Sequence, residues 1–149
     1  MNLKLVVPIM LLVFSFQGCA VESDHVQPDD NRPCMVIYTQ TGSLWTGRSF
    51  KTSMDFPQLS RATAFSKINQ AIATHGYVIT AADKENGVIS GNSAVFMGHG
   101  KVVPLNAIVN NNPSGGASVE LVFHLSPGLA VGKEAVQKEF CSILESVNR

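Results

Sequence analysis

The chain opens on an apolar block, crosses a polar stretch, and then alternates between short apolar runs and polar turns. Leu5 to Phe14 (LVVPIMLLVF) is uninterrupted by any polar residue, with Lys4 ahead of it and the small Gly18 behind. A basic start, a short apolar core and a small residue before a cut site make a secretory signal peptide, here residues 1–18. The alternative is a buried helix; Pro8 within the run and the switch to polar sequence after Ala20 argue against it. Ala20 to Pro33 (AVESDHVQPDDNRP) has four acidic residues, two prolines and little to bury. Such a stretch reads as a flexible tether over 19–33. Residues 34–149 then carry the periodic pattern of a single domain, without an internal repeat or a second linker.

Within that domain Cys34 to Tyr38 (CMVIY) reads as a short strand and Thr39 to Ser43 (TQTGS) as a turn. Leu44 to Phe50 reads as a continuation or a second, irregular strand. Phe56 to His75 reads as a helix, with Pro57 in its first turn and Gly76 as its C-terminal cap. Leu59, Ala62, Phe65, Ile68 and Ile72 form its apolar stripe, which leaves Arg61, Lys67 and Gln70 facing water. Tyr77 to Ala82 and Val88 to Gly91 flank an Asp-Lys-Glu-Asn-Gly turn, a hairpin signal. Val102 to Val109 is a further strand, which Pro104 restricts to an edge or a bulge. Asn110 to Gly116 is a loop. Ala117 to Leu125 alternates, with Val119, Leu121, Phe123 and Leu125 on one face and Ser118, Glu120 and His124 on the other. Gly132 to Asn148 closes the chain as a helix with a stripe of Val136, Phe140, Ile143, Leu144 and Val147. Strands joined by short turns predict an α+β fold: an antiparallel sheet of four to six strands with two helices packed on one face.

Phe16-Gln17-Gly18-Cys19 resembles the bacterial lipobox, in which an aliphatic, a variable and a small residue precede a cysteine. Gly18 and Cys19 match; Phe16 stands where Leu is usual, and Gln17 is bulkier than the residue often found there. The resemblance implies that Cys19 takes diacylglycerol, that the signal is cut before it, and that the new N-terminus is acylated. Ala20, rather than Asp, after the cysteine implies delivery to the outer membrane, facing the periplasm. Ordinary secretion, with cleavage after Gly18 or Ala20, is the alternative. Each buried CH₂ of an acyl chain supplies about 0.8 kcal/mol, so a multiply acylated chain holds to a membrane without a spanning helix.

The chain has three cysteines, Cys19, Cys34 and Cys141. If Cys19 carries lipid, Cys34 and Cys141 form the one possible intramolecular disulfide in an oxidising compartment. Two separate buried thiols are the alternative. Neither belongs to a CxxC, which counts against thioredoxin-like redox chemistry.

Composition narrows the function classes. Lys plus Arg and Asp plus Glu are 11 each, so no basic excess marks a nucleic-acid partner. Ala64 to Asn92 (AFSKINQAIATHGYVITAADKENGVISGN) resembles the helix–strand–hairpin unit of small envelope lipoproteins. The accessory lipoproteins of the outer-membrane β-barrel assembly machinery carry such units. The resemblance rests on pattern rather than on a chemical motif, and it implies a fold without carrying over a functional residue.

Chemical motifs are sparse. His25, His75, His99 and His124 stand apart in sequence and form no HxH or HExxH pair, so no metal or cofactor is expected. Gly98-His99-Gly100 is either a turn between strands or the rim of a ligand cleft. Cys34 would be a nucleophile only if free and beside a base such as His99 or His124. Asp83 and Glu85 read as solvated turn residues with ordinary carboxylate pKa values. Trp45 and Arg48, with Tyr38 and Phe50 nearby, form the best candidate partner surface, since Trp, Tyr and Arg are typical anchors. The competing and favoured reading puts Trp45 and Phe50 in the core. The expected function is that of a non-enzymatic, membrane-anchored envelope lipoprotein that binds another envelope component, an envelope protein being one candidate partner. The alternative is a periplasmic small-ligand-binding protein or enzyme with a cleft near Gly98-His99-Gly100.

Overall fold

The computed structural model describes residues 31–94, 100 and 102–149, and the arrangement below is that of these residues. The element order is α1 (Pro33–Val36), β1 (Thr39–Ser43), β2 (Gly47–Phe56), α2 (Arg61–Thr74), β3 (Val78–Asp83), β4 (Val88–Ala94), β5 (Val102–Asn111), β6 (Ala117–Leu125) and α3 (Lys133–Ser146). The strands form one antiparallel six-stranded sheet in the order β1-β2-β6-β5-β4-β3. The expected α+β class and strand number hold; a third, one-turn helix, α1, adds to the two that were expected. The signal segment, Cys19, His25 and His99 lie outside the described residues.

Alternation sets the layers. Ala117, Val119, Leu121, Phe123 and Leu125 of β6 are buried, as are Val103, Leu105, Ala107 and Val109 of β5. Their alternates face away from the core, so α2 and α3 cover one side of the sheet. β6 pairs with β5 on one side and with β2 on the other. That β2–β6 ladder joins the N-terminal hairpin to the β3–β6 meander. α2 leaves β2 and crosses the sheet to reach β3 at the far edge. The centre of the core is a linked set of rings: Tyr38, Phe50, Phe123 and Phe140, with neighbouring centroids 6.1–6.4 Å apart.

Several expectations are corrected. Cys34 to Tyr38 is not a strand: Pro33 takes the first position of α1, where its missing N–H costs nothing. Thr39–Ser43, expected as a turn, is the edge strand β1, and the turn falls at Leu44–Thr46. β2 runs on to Phe56, so α2 begins later than expected, with Ser60 as N-cap accepting a hydrogen bond from the Thr63 N–H. Ala62 is exposed, and Ala64 and Ala71 take its place in the buried stripe. Arg61 and Lys67 do not simply face water. Arg61 donates to the carbonyls of Val109 and Glu85, each at 2.9 Å, and Lys67 donates to the carbonyl of Val147 at 2.9 Å. Pro104 sits in an interior strand rather than at an edge. The β5–β6 ladder starts at Leu105, one residue later, so Pro104 lies just beyond that ladder.

Cys34 and Cys141 are joined, with Cα atoms 5.4 Å apart across a sequence separation of 107. The bond ties α1 to the second half of α3. The Thr52 hydroxyl donates to the Cys34 carbonyl, and Arg32 pairs with Glu145 at 3.0 Å. Arg32 and Pro33, read above as tether, are thus already part of the folded unit.

Candidate functional site

The turn between β1 and β2 is closed by its own hydroxyls. The Ser43 Oγ accepts from the N–H groups of Trp45 and Thr46 at 3.3 and 3.2 Å, and the Thr46 Oγ1 accepts from the Ser43 N–H at 3.1 Å. Gly42 and Gly47 flank it with φ of 84° and 87°. A Cβ on Gly42 would strike the Gly47 carbonyl, so the approach of the two strands requires glycine there. The Gly128 N–H donates to the Leu44 carbonyl at 2.8 Å, which fixes the turn against the segment after β6.

This local geometry turns Trp45 outward. Its side chain is 86% exposed, and Leu44 beside it is exposed as well. The favoured expectation that Trp45 packs in the core is therefore overturned, whereas Phe50 is fully buried. Trp45 is on the turn just beyond the last β2–β6 pair, Arg48 with Leu125, and the turn presents its side chain to solvent. Behind the tip is a shallow groove of about 260 Å³ lined by Thr41, Thr46, Arg48, Ser49 and His124. Arg48 also borders the groove, but it alternates with Ser49 and so shares the sheet face of Phe50, where its Nε is buried without a hydrogen-bond partner among the described residues. The Tyr38 hydroxyl, Gln40 Oε1 and Gln137 Nε2 share that condition. Burial, then the nearby Glu134 carboxylate, pushes the Tyr38 hydroxyl far above its ordinary pKa, so it stays a neutral donor.

A second concavity lies under the segment between β6 and α3. It is an apolar slot of about 190 Å³ lined by Tyr77, Val103, Phe123, Leu125, Leu129 and Val131. An adjoining one of about 170 Å³ shares Tyr77, Phe123 and Val131 and extends along Val136, Glu139 and Phe140 of α3. Ser93, Ala94 and Val103, at the ends of β4 and β5 on either side of the segment that contains Gly98, His99 and Gly100, form part of the slot's wall. Burial, then the Glu139 carboxylate, pushes the Tyr77 hydroxyl up to about 12. Glu139 Oε1 lies 3.3 Å from His75 Nδ1, at the C-cap of α2.

The remaining chemical candidates come out as follows. His124 is exposed on the outer sheet face, as its place in the alternation predicted. The Cys34 and Cys141 sulfurs and a Glu145 carboxylate oxygen lie within 4.8 Å of one another. A metal would need thiolates, however, and both sulfurs are held in the disulfide. The same bond removes Cys34 as a nucleophile. Asp83 departs from its expected ordinary value: it accepts from the Asn86 N–H at 2.9 Å and from the Asn86 side chain at 2.8 Å, which lowers its carboxyl pKa. It is held as a carboxylate in the turn. A wide crease of about 440 Å³ between α2 and the end of α3 is lined by Lys67, Gln70, Thr74 and Arg149.

Sequence reasoning named Trp45 and Arg48 and, as the alternative, a cleft near Gly98-His99-Gly100, but it did not name the residues that line the slot. The slot is made by Tyr77, just before β3, and by residues from β4, β5, β6 and the 126–132 segment, which no local period brings together. The chain matches no protein-family model and no curated protein. Among solved structures it is similar to Ara h 8.0201, over 66% of this chain and 93% of that one, with 12% identity and a TM-score of 0.38. A likeness at that level assigns neither a family nor a ligand. Among the described residues, no helix is long and apolar enough to cross a membrane.

Proposed function

We propose that this chain is a lipid-anchored bacterial envelope protein whose folded domain binds another envelope protein and performs no chemistry of its own. Phe16-Gln17-Gly18-Cys19 supports the anchor, through acylation of Cys19, and Ala20 supports delivery to the outer membrane. The observation that carries the binding half is Trp45, held outward on a hydrogen-bonded turn next to a groove containing Arg48. A large aromatic side chain left this exposed forgoes burial worth roughly 1.5–3 kcal/mol, a cost that binding at the tip would recover.

Two experiments test the two halves separately. Cys19→Ser should move the protein from the membrane fraction to the soluble one. A wild-type protein found soluble would remove the anchor. For the binding half, a photo-crosslinking residue at position 45 should give one discrete adduct in intact cells, and the same residue at Glu85, at the opposite end of the sheet, should not. Equal adducts at both positions, or none at position 45, would remove the binding surface.

A further inference from the structure

The slot beneath the 126–132 segment has a chemistry distinct from that of the hairpin tip. Its walls are Val103, Phe123, Leu125, Leu129 and Val131, and the adjoining space adds Val136 and Phe140. Together the two spaces reach the low end of the roughly 300–1,000 Å³ typical of small-ligand sites. The sheet wall is rigid, because Phe123 is held in the ring cluster with Phe50 and Phe140. The opposite wall is a segment without helix or strand, in which Leu129 and Val131 are only partly buried against the core. That segment is fastened at its start, through Gly128 to Leu44, and at its end, where the Gly132 carbonyl accepts from the Ala135 and Val136 N–H groups.

Two polar groups belong to the slot and set what it accepts. The Tyr77 hydroxyl finds no acceptor among the described side chains and carbonyls, and it remains a donor across the neutral range. Glu139 lines the adjoining space that also contains Tyr77; it is partly exposed, and its Oε1 lies 3.3 Å from His75 Nδ1. A donor hydroxyl and a carboxylate lining one space without bonding each other suit a neutral head that both accepts and donates a hydrogen bond. A ligand carboxylate would meet Glu139 as a like charge. We infer that this slot binds a slender, uncharged amphiphile, an apolar chain ending in a hydroxyl or amide group, with the chain between Phe123 and Val131 and the head at Tyr77 and Glu139. The ligand class is independent of the hairpin tip and of the membrane anchor, so this site stands or falls without them.

The test uses 1-decanol and decanoate, which share an apolar chain and differ in head charge, with the purified Cys19→Ser protein at about pH 8, where decanoate is ionised. Calorimetry should show decanol binding at least about tenfold more tightly than decanoate, the factor that about 1.4 kcal/mol of like-charge discrimination gives. Glu139→Gln should bring the two within about threefold of each other. Val131→Trp should weaken decanol about tenfold or more by filling the slot. If circular dichroism shows that variant unfolded, Ala130→Trp, at an exposed position on the same wall, carries the same test. Absent decanol binding, binding unchanged by the filling variants, or decanoate binding as tightly as decanol would each overturn the assignment. So would a concentration-dependent dimer abolished by Val131→Trp, because the slot would then belong to a second copy of the chain.

Discussion

At the end of the sheet where β2 gives way to α2, directed polar contacts close the structure. Arg61 reaches the carbonyls of Val109, Glu85 and Lys84; the Val109 N–H donates to the Gly87 carbonyl at 2.7 Å; and Asn86 caps Asp83. At the opposite end the same strands leave Trp45, Val78 and Val102 exposed and open onto the slot under Leu129 and Val131. The two ends are built from the same ladder, with Phe56 and Ala117 at one and Arg48 and Leu125 at the other. Exposed apolar groups and imperfect packing cost stability, and a domain has only roughly 5–15 kcal/mol to lose. Hydrogen bonds close both ends, but at the first Arg61 ties α2 to the strands, whereas at the second Ser43, Thr46 and Gly128 hold only the turn and leave the Trp45 ring and the slot open to binding.

The disulfide sharpens this contrast within a single helix. It holds the second half of α3, together with the Lys67–Val147 and Arg32–Glu145 contacts, while the first half of α3 borders the slot. A closed loop of this length contributes on the order of 4.7 kcal/mol in the chain-entropy model, the largest single effect expected here. Cys34→Ser, Cys141→Ser or reductant should each lower stability by an amount of that order in urea titrations. An unchanged midpoint would show that α3 is held by packing alone, and the distinction between its two halves would disappear.

Arg61→Ala comes next. It removes charge-assisted bonds to carbonyls from two elements, and it should cost about 1.5–3 kcal/mol, with part of the guanidinium solvated. A loss below about 0.5 kcal/mol, the usual size for surface changes, would mean that the closed end is no better tied than the open one.

Much of this plan was legible in the sequence. The alternation of Ala117 to Leu125 and the stripe from Val136 to Val147 name buried residues correctly because each element meets the core along one regular face. The N-terminal hairpin was not legible, for a physical reason. β1 is a polar edge strand paired on one side only, so TQTGS has no burial pattern to display. Leu44 and Trp45 look like strand residues but sit on a turn fixed by Ser43 and Thr46. α1 likewise overrides the β-prone CMVIY because Pro33, the disulfide and Thr52 hold Cys34 in place. Ser60 three residues before Thr63 was the available signal for the later start of α2, and Phe56-Pro57 masked it. The tip residues Trp45 and Arg48 could be named from residue type, whereas the slot depends on long-range pairing.

The tyrosines probe the inside of each region. The chain has two, Tyr38 beneath the hairpin and Tyr77 in the slot. Both are shifted upward chiefly by burial, so the fold favours their neutral forms. That contribution is fully present below the ordinary value of 10.0 and is lost as the pH rises through the folded-state value, about 12 for Tyr77. Phenolate absorbance should therefore stay flat through pH 10.0 and rise only near or above about 12, together with unfolding. A tyrosine that titrates near 10.0 in the folded protein, lost in Tyr77→Phe, would mean that water fills the slot and would remove its apolar character.

The smallest effect on stability should come from Trp45, and that smallness discriminates between the two regions. Its ring is 86% exposed, and the hydrogen bonds of its turn involve its backbone N–H and the Ser43 and Thr46 side chains, all of which Trp45→Ala leaves in place. The variant should unfold within about 0.5 kcal/mol of the parent, as expected for a surface substitution. Ser43→Ala, which removes the acceptor for two turn N–H groups, should cost more, about 0.5–1.5 kcal/mol. Tryptophan fluorescence offers a second reading, because Trp45 is the chain's single tryptophan. Its emission should already be that of a water-exposed indole in the folded state and should shift little on denaturation. A blue-shifted folded spectrum, or a loss of several kcal/mol in Trp45→Ala, would place the ring in contact with the domain. The hairpin tip would then belong to the packed part of the molecule rather than to its binding end.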